Sequence, residues 1–147
     1  MSVVTSKRDI EHILEYTRRI AVLGAHPDPE KAAHFVPEYM SRNGDTVIPV
    51  NPDYPDALLW GMNPLPSLAD LDDVVEMVLV FRSPEHLPGH AEEILAMNPV
   101  PRVVWFQQGI RHDEVAGRLA AEGIEVVQDH CVMVMHKKLD LNDAVSL

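Results

Sequence analysis

The stretch Arg19-Ile20-Ala21-Val22-Leu23-Gly24-Ala25-His26-Pro27 decides how the rest of the chain is read. A short apolar run ends on a glycine and passes through a loop into a segment of helical periodicity. The first strand and phosphate loop of a Rossmann-like unit follow this order. Ile20, Val22 and Leu23 suit a buried parallel strand, which is continuously hydrophobic because helices cover both of its faces. Gly24 admits a positive φ or a close backbone approach where a ligand would meet the strand end. A helix starting near Glu30 would aim its free N–H groups at the same point and make an anion site. Plain strand–helix packing uses the same pattern, so the choice between ligand and packing rests on the flanking sequence.

Before this stretch, Ile10, Ile13 and Leu14 within Lys7 to Tyr16 predict a short amphipathic helix. After it, Ala32, Phe35, Val36, Tyr39 and Met40 mark the inner face of a helix that stops at Asn43-Gly44. Pro37 lies inside that pattern and is expected to bend the helix or leave its first turns irregular. Thr46-Val47-Ile48-Pro49-Val50 is the second strand, closing on Asn51-Pro52. Pro49 cannot donate to a ladder and places this strand near an edge. Residues 52–71, punctuated by Pro52, Pro55, Gly61, Pro64 and Pro66, predict a loop with one helical turn at Leu68 to Leu71.

Met77 to Phe81 is the third strand, ending in Arg82-Ser83-Pro84. Leu87, Ala91, Ile94 and Leu95 then give a helix, with Ser83 as its N-cap and Pro84 at its first position. Arg102 to Phe106 is the fourth strand, ending in Gln107-Gln108-Gly109-Ile110. Val115, Leu119 and Ala120 line a helix stopped by Gly123, and Ile124 to Val127 is the fifth strand, leading to Gln128-Asp129-His130-Cys131. Asp140 to Leu147 is expected as a frayed tail. Alternating strands and helices of these lengths imply an α/β, three-layer Rossmann-like fold with a five-stranded, mainly parallel sheet and right-handed crossovers. The expectation is one domain over residues 1–147, with its core at about 16–139. Ligands of such sheets bind beyond the carboxyl ends of the strands. Here those ends are Gly24, Asn51, Arg82, Gln107 to Gly109, and Asp129, each of them polar or glycine. Their convergence favours a binding site over packing alone.

Composition narrows the ligand. Twelve Lys and Arg against 23 Asp and Glu give a formal charge of −11, which argues against nucleic acid, whose backbone calls for clustered cations. A single small anion held by local N–H groups and a few cations is compatible with that charge. No 18-residue apolar run and no signal-peptide pattern occur, and the lone Cys131 fits a reducing compartment; the expected location is cytoplasmic, with no membrane. Of the dinucleotide fingerprint G-x-G-x-x-G only Gly24 is present, and the second strand ends in Asn51 instead of an acid, so NAD is disfavoured. The G-x-x-x-x-G-K-[ST] phosphate loop is absent, which removes the P-loop NTPases.

Five segments occur in a telling order: Ala21-Val22-Leu23-Gly24 with its Pro-containing loop, Val47-Ile48-Pro49-Val50-Asn51-Pro52, Val80-Phe81-Arg82-Ser83-Pro84-Glu85, Trp105-Phe106-Gln107-Gln108-Gly109-Ile110, and Asp129-His130-Cys131-Val132-Met133. Together they resemble the small stand-alone CoA-binding proteins, a family similar to the CoA-binding domain of the succinyl-CoA synthetase alpha subunit. The resemblance spans roughly Tyr16 to Leu139. It implies coenzyme A or an acyl-CoA lying across the strand ends. It puts the phosphate loop at Gly24, Ala25, His26 and Pro27, with Lys31 as the basic residue at the helix start. The adenosine-side contact falls at Val50, Asn51 and Pro52, the third strand end at Phe81 and Arg82, and the Gln-Gly turn at Gln107 and Gly109. The family often carries a small hydroxyl residue after the first glycine or in the next helical turn. This chain has Ala25, His26, Ala32 and Ala33 there, leaving backbone N–H groups and Lys31 to hold the phosphates.

No catalytic or metal residue is assigned. Asp129, His130 and Cys131 are adjacent on an extended segment, where neighbours point to opposite faces and are poorly placed to share a proton. Cys131 is expected to be structural. His86 and His90 have a zinc-compatible spacing of four but lack the H-E-x-x-H glutamate, and are expected at the surface. Trp105 is expected in the core, and Asp70, Asp72 and Asp73 in a solvated loop. The leading expectation is a non-catalytic CoA-binding protein. An enzyme of acyl-CoA or nucleotide chemistry, with Cys131, His26 or His130 acting, stays open, as does an interaction module that has lost its ligand. Any protein partner is left unassigned.

Overall fold

Each of the five apolar runs becomes a strand, and the reason is visible in what each face touches. The computed structural model describes the backbone of residues 2–146 and the side chains of residues 3–139. In chain order the elements are β1 (Ser2–Val3), α1 (Lys7–Tyr16), β2 (Arg19–Leu23), α2 (Ala32–Arg42), β3 (Thr46–Val50), β4 (Met77–Val80), α3 (Leu87–Leu95), β5 (Val103–Phe106), α4 (Asp113–Ala121), β6 (Glu125–Val127) and α5 (Val132–Ser146). They form one sheet of order β1-β6-β5-β4-β2-β3, with every strand pairing parallel. The five expected strands are therefore present. The two-residue β1 is an addition: it pairs with β6, and Val4 N–H continues the ladder to the Val126 carbonyl at 2.6 Å.

Alternate residues of each strand serve different layers. Ala21, Leu23, Val78, Val80, Val104 and Phe106 pack with α3 and α4 through Leu87, Ala91, Ile94, Val115 and Leu119. Ile20, Val22, Met77, Leu79, Val103 and Trp105 pack with α1, α2 and the start of α5 through Ile13, Met40 and Val132. Fully burying such an aliphatic side chain stabilises the fold by roughly 1.5–3 kcal/mol relative to exposure. Trp105 is wholly buried, and its indole N–H donates to the His130 carbonyl at 2.8 Å.

The two prolines in regular structure each leave a consequence. Pro49 sits on the edge strand β3, opposite Val22; its carbonyl faces outward and accepts from Leu65 N–H at 2.9 Å, so its missing donor falls on the open edge. Pro37 is buried inside α2 and cannot donate to the Ala33 carbonyl. The vacant carbonyl accepts instead from His26 N–H at 3.3 Å, which ties the loop after β2 to the helix.

Three local expectations need correction. Ser83 makes no side-chain cap; Pro84–His86 form a 3₁₀ turn and α3 begins only at Leu87. The helix after Gly24 begins at Ala32, two residues later than expected, because Lys31 N–H closes a turn onto Asp28. The segment expected as a tail from Asp140 continues α5 to Ser146; Leu147 lies outside the described residues. No helix among the described residues is long and apolar enough to cross a membrane.

Candidate functional site

From β2 the chain passes to β3 on one side and returns to β4 on the other. This reversal leaves a crevice at the carboxyl ends of β2 and β4, the place where open α/β sheets bind ligands. Gly24 stands at its centre with φ +86, its N–H donating to the Val50 carbonyl at 2.9 Å. A Cβ there would lie 2.7 Å from the Phe81 carbonyl oxygen and 3.1 Å from Arg82 Cδ. Only glycine permits both the backbone angle and this approach.

The loop beyond Gly24 is fixed from several sides. Buried Asn51 donates from Nδ2 to the Ala25 carbonyl at 2.9 Å, while its Oδ1 accepts from Asp53 N–H at 2.9 Å. His34 Nδ1 donates to the His26 carbonyl at 2.8 Å, and its other nitrogen faces the Glu38 carboxylate at 3.0 Å. Asp28 N–H donates to His26 Nδ1 at 3.0 Å, so that nitrogen carries no proton. His26 Nε2 lies 3.1 Å from the Tyr54 hydroxyl.

Donors face the crevice without protein partners. Lys31 caps α2 without a side-chain bond, and the N–H groups of the first turn, at Ala32 and Ala33, have no intrahelical acceptor. Arg82 Nε is buried and makes no hydrogen bond. Among the described residues, neither Lys31 nor Arg82 enters an ion pair. Positive charge with helix N–H groups around a glycine suits a phosphate or other anion.

On the far side, Gln107 is buried and its Oε1 accepts from Val132 N–H at 3.2 Å, capping α5. Gly109, with φ +87, donates its N–H to Asp129 Oδ1 at 2.7 Å. Gln107 and Asp129 thus hold the turn 107–110 in shape with their side chains.

A cleft of about 560 Å³ joins these ends and is lined by Gly24, His26, Lys31, Asn51, Phe81, Arg82, Gln107 and Gly109, all of them sequence candidates. Val50 and Pro52 line an adjoining recess of about 170 Å³ that shares Gly24, Asn51 and Arg82 with the cleft. Two candidates lie apart from both: Ala25 is wholly buried in the core and Pro27 lines neither space. The sequence reading did not assign to the site Ala32, Ala33, Asp53, Tyr54, Ser83, Pro84, Gln108 and Ile110 in the cleft, or Leu23, Pro66, Ser67, His90 and Glu93 in the recess. The alanines carry no side-chain signal, since they bring only backbone donors to the cleft. Tyr54 and Ser67 arrive through the fold of the 52–71 loop, His90 and Glu93 through the angle of α3, and Ser83, Gln108 and Ile110 from the turns that follow β4 and β5. A separate groove of about 520 Å³ between Val74 and Pro99 is lined by Asp72, Asp73 and Glu93 and by no cation, so it does not suit an anion.

The remaining candidates have structural settings. Cys131 is partly buried against the core, its carbonyl accepting from Met135 N–H. His86 is exposed, whereas His90 is only part-exposed and bonds Glu93 at 2.7 Å. Asp70, Asp72 and Asp73 are exposed; Asp70 accepts from Ser67, and Asp73 pairs with Arg19. No group of three His, Cys, Asp or Glu among the described residues is arranged to hold a metal.

Three kinds of comparison bear on this geometry. A family model described as CoA binding domain matches residues 18–137. The uncharacterized protein YneT of Bacillus subtilis (strain 168) is 39% identical over 131 residues, covering 89% of this chain and 94% of the relative. The solved structure of cell-free ID.343 from Thermus thermophilus has a TM-score of 0.86 at 43% identity, covering 92% of this chain and 99% of its own. A dinucleotide forming acetyl-coenzyme A synthetase 1 from Ca. Korarchaeum cryptofilum has a TM-score of 0.61 at 21% identity, covering 74% of this chain and 25% of its own; at that identity the likeness is one of fold alone.

Proposed function

The chain belongs to the CoA binding domain family, and on that premise we propose that it binds coenzyme A or an acyl-CoA without chemically transforming it. The ligand's pyrophosphate lies at Gly24, against the first turn of α2, between Lys31 and Arg82. The adenosine side enters the recess by Val50, Asn51 and Pro52. The pantetheine arm runs past Phe81 toward Gln107 and Gly109. The observation that carries this reading is the unpartnered, buried Arg82 Nε beside the free N–H groups of α2. A buried donor without an acceptor costs about 1–3 kcal/mol, and a small turn of the Arg82 side chain, which lines the cleft, would let a phosphate oxygen remove that cost.

Non-catalytic binding is favoured by how the cleft uses its polar groups. Its hydroxyl–imidazole contact has Tyr54 accepting from His26, the reverse of a base activating a nucleophile. The Asn51 and Gln107 side chains are committed to backbone groups. The chain acts as a single ligand-binding domain in a reducing cytoplasm, a setting that suits its lone thiol. Native mass spectrometry after incubation with CoA tests the reading: one CoA retained per chain is expected, with acetyl-CoA unchanged after prolonged incubation. Hydrolysis or transfer of the acyl group would replace binding with catalysis.

A further inference from the structure

Apart from the Lys31 and Arg82 cations, the loop after β2 and the first turn of α2 offer the anion backbone N–H groups and no hydroxyl, because positions 25, 32 and 33 are all alanine. We infer that the Tyr54 hydroxyl supplies the missing side-chain donor to the phosphate, and that His26 holds it in that role. This rests on the reading of the cleft as a phosphate site.

The proton bookkeeping is fixed by one backbone group. Asp28 N–H can only donate, so His26 Nδ1 accepts and is bare. A neutral ring then carries its proton on Nε2. That N–H points at the Tyr54 oxygen, 3.1 Å away, and the oxygen is the acceptor. The hydroxyl proton of Tyr54 is thereby left for another partner, and Tyr54 lines the cleft together with Gly24, Lys31 and Arg82. The His26 ring lies beside the tyrosine ring, with centroids 4.9 Å apart, which restricts where the hydroxyl sits. His26 is itself anchored through its backbone: N–H to Ala33, carbonyl to His34. The relay therefore runs from the loop backbone through a neutral imidazole to a phenol whose free proton faces the anion. Accepting from His26 also polarises the phenol and strengthens its own donation.

Tyr54→Phe removes the hydroxyl alone. CoA affinity is expected to fall about tenfold, the effect of losing a hydrogen bond to a charged oxygen, with the thermal midpoint little changed. His26→Gln, which keeps an N–H near Nε2, is expected to bind more tightly than His26→Ala. Nitrogen NMR of His26 in the free protein is expected to show the proton on Nε2; a proton on Nδ1 overturns the relay. The same variants titrated with inorganic pyrophosphate separate this inference from the CoA reading. Wild type that binds pyrophosphate in a Tyr54-dependent manner but ignores CoA overturns the CoA reading and keeps the relay. Tyr54→Phe binding as tightly as wild type overturns the relay and keeps the CoA reading. Binding of neither ligand overturns both.

Discussion

The two ends of the sheet use their charges in opposite ways. At the amino ends charge is committed to the fold: Arg19 pairs with Asp73, and Glu76 Oε1 accepts the N–H groups of Arg18 and Arg19. At the carboxyl ends the polar side chains of Asn51, Gln107 and Asp129 bind backbone and shape the loops, while Lys31 and Arg82 have no carboxylate partner among the described residues. In a chain of net charge −11, two cations at the carboxyl ends that no carboxylate pairs among the described residues suit the receipt of an anion. The pattern of unmatched cations carries more information than the total charge.

The largest test of this contrast attacks the close approach that forms the crevice. Gly24→Ala adds a Cβ against the Phe81 carbonyl at a positive φ. It should destabilise the protein by about 1–3 kcal/mol in urea unfolding and abolish detectable CoA binding. A stable variant with normal affinity would remove Gly24 from the account. Next, Arg82→Ala and Lys31→Ala each remove a charge-assisted contact worth ~1.5–3 kcal/mol when well formed. Calorimetry should show binding weakened about tenfold or more with the unfolding midpoint nearly unchanged. Full affinity in both variants would put the phosphates elsewhere.

The amino end has its own titration. Burial raises the Asp45 carboxyl from 3.8 to about 6, against the opposing charges of His136 and Arg18 and reinforced by Glu76. The folded state then keeps a proton that the unfolded chain has released, so this residue lowers stability as pH rises from about 4 to 6. Asp45→Asn should stabilise the protein above pH 6 by about 1–2 kcal/mol after allowance for partial exposure, and change little near pH 4. CoA affinity should not move. Smallest of all, Arg19→Ala breaks an exposed ion pair and should cost no more than ~1 kcal/mol in denaturant unfolding, again with unchanged affinity. A large loss of binding there would erase the distinction between the two ends.

Much of the receiving end is legible in the chain. The strands announce themselves as apolar runs because both faces are buried, and Gly24, Asn51, Arg82 and Gln107 are polar or glycine at the point where each run stops. Pro49 marks the edge strand through its missing donor. Less accessible is what a side chain does once it arrives. Asn51 and Gln107 line the cleft yet direct their amides into backbone, and Ala25 turns into the core, because the Pro37-vacated carbonyl and Asn51 pull the loop inward. Tyr54 and Ser67 reach the site through a proline-punctuated loop whose path depends on outer-edge bonds at Leu65, and His90 and Glu93 through the placement of α3; periodicity encodes neither. The strand β1 is too short to show a period.

The most direct measurement is a calorimetric titration of the wild-type protein with CoA at low and raised salt. Saturable binding that weakens as salt rises is the predicted result, since the ligand's phosphates would meet Lys31, Arg82 and the first turn of α2. No heat and no thermal shift at millimolar CoA would contradict the account and leave the fold as an interaction module without its ligand.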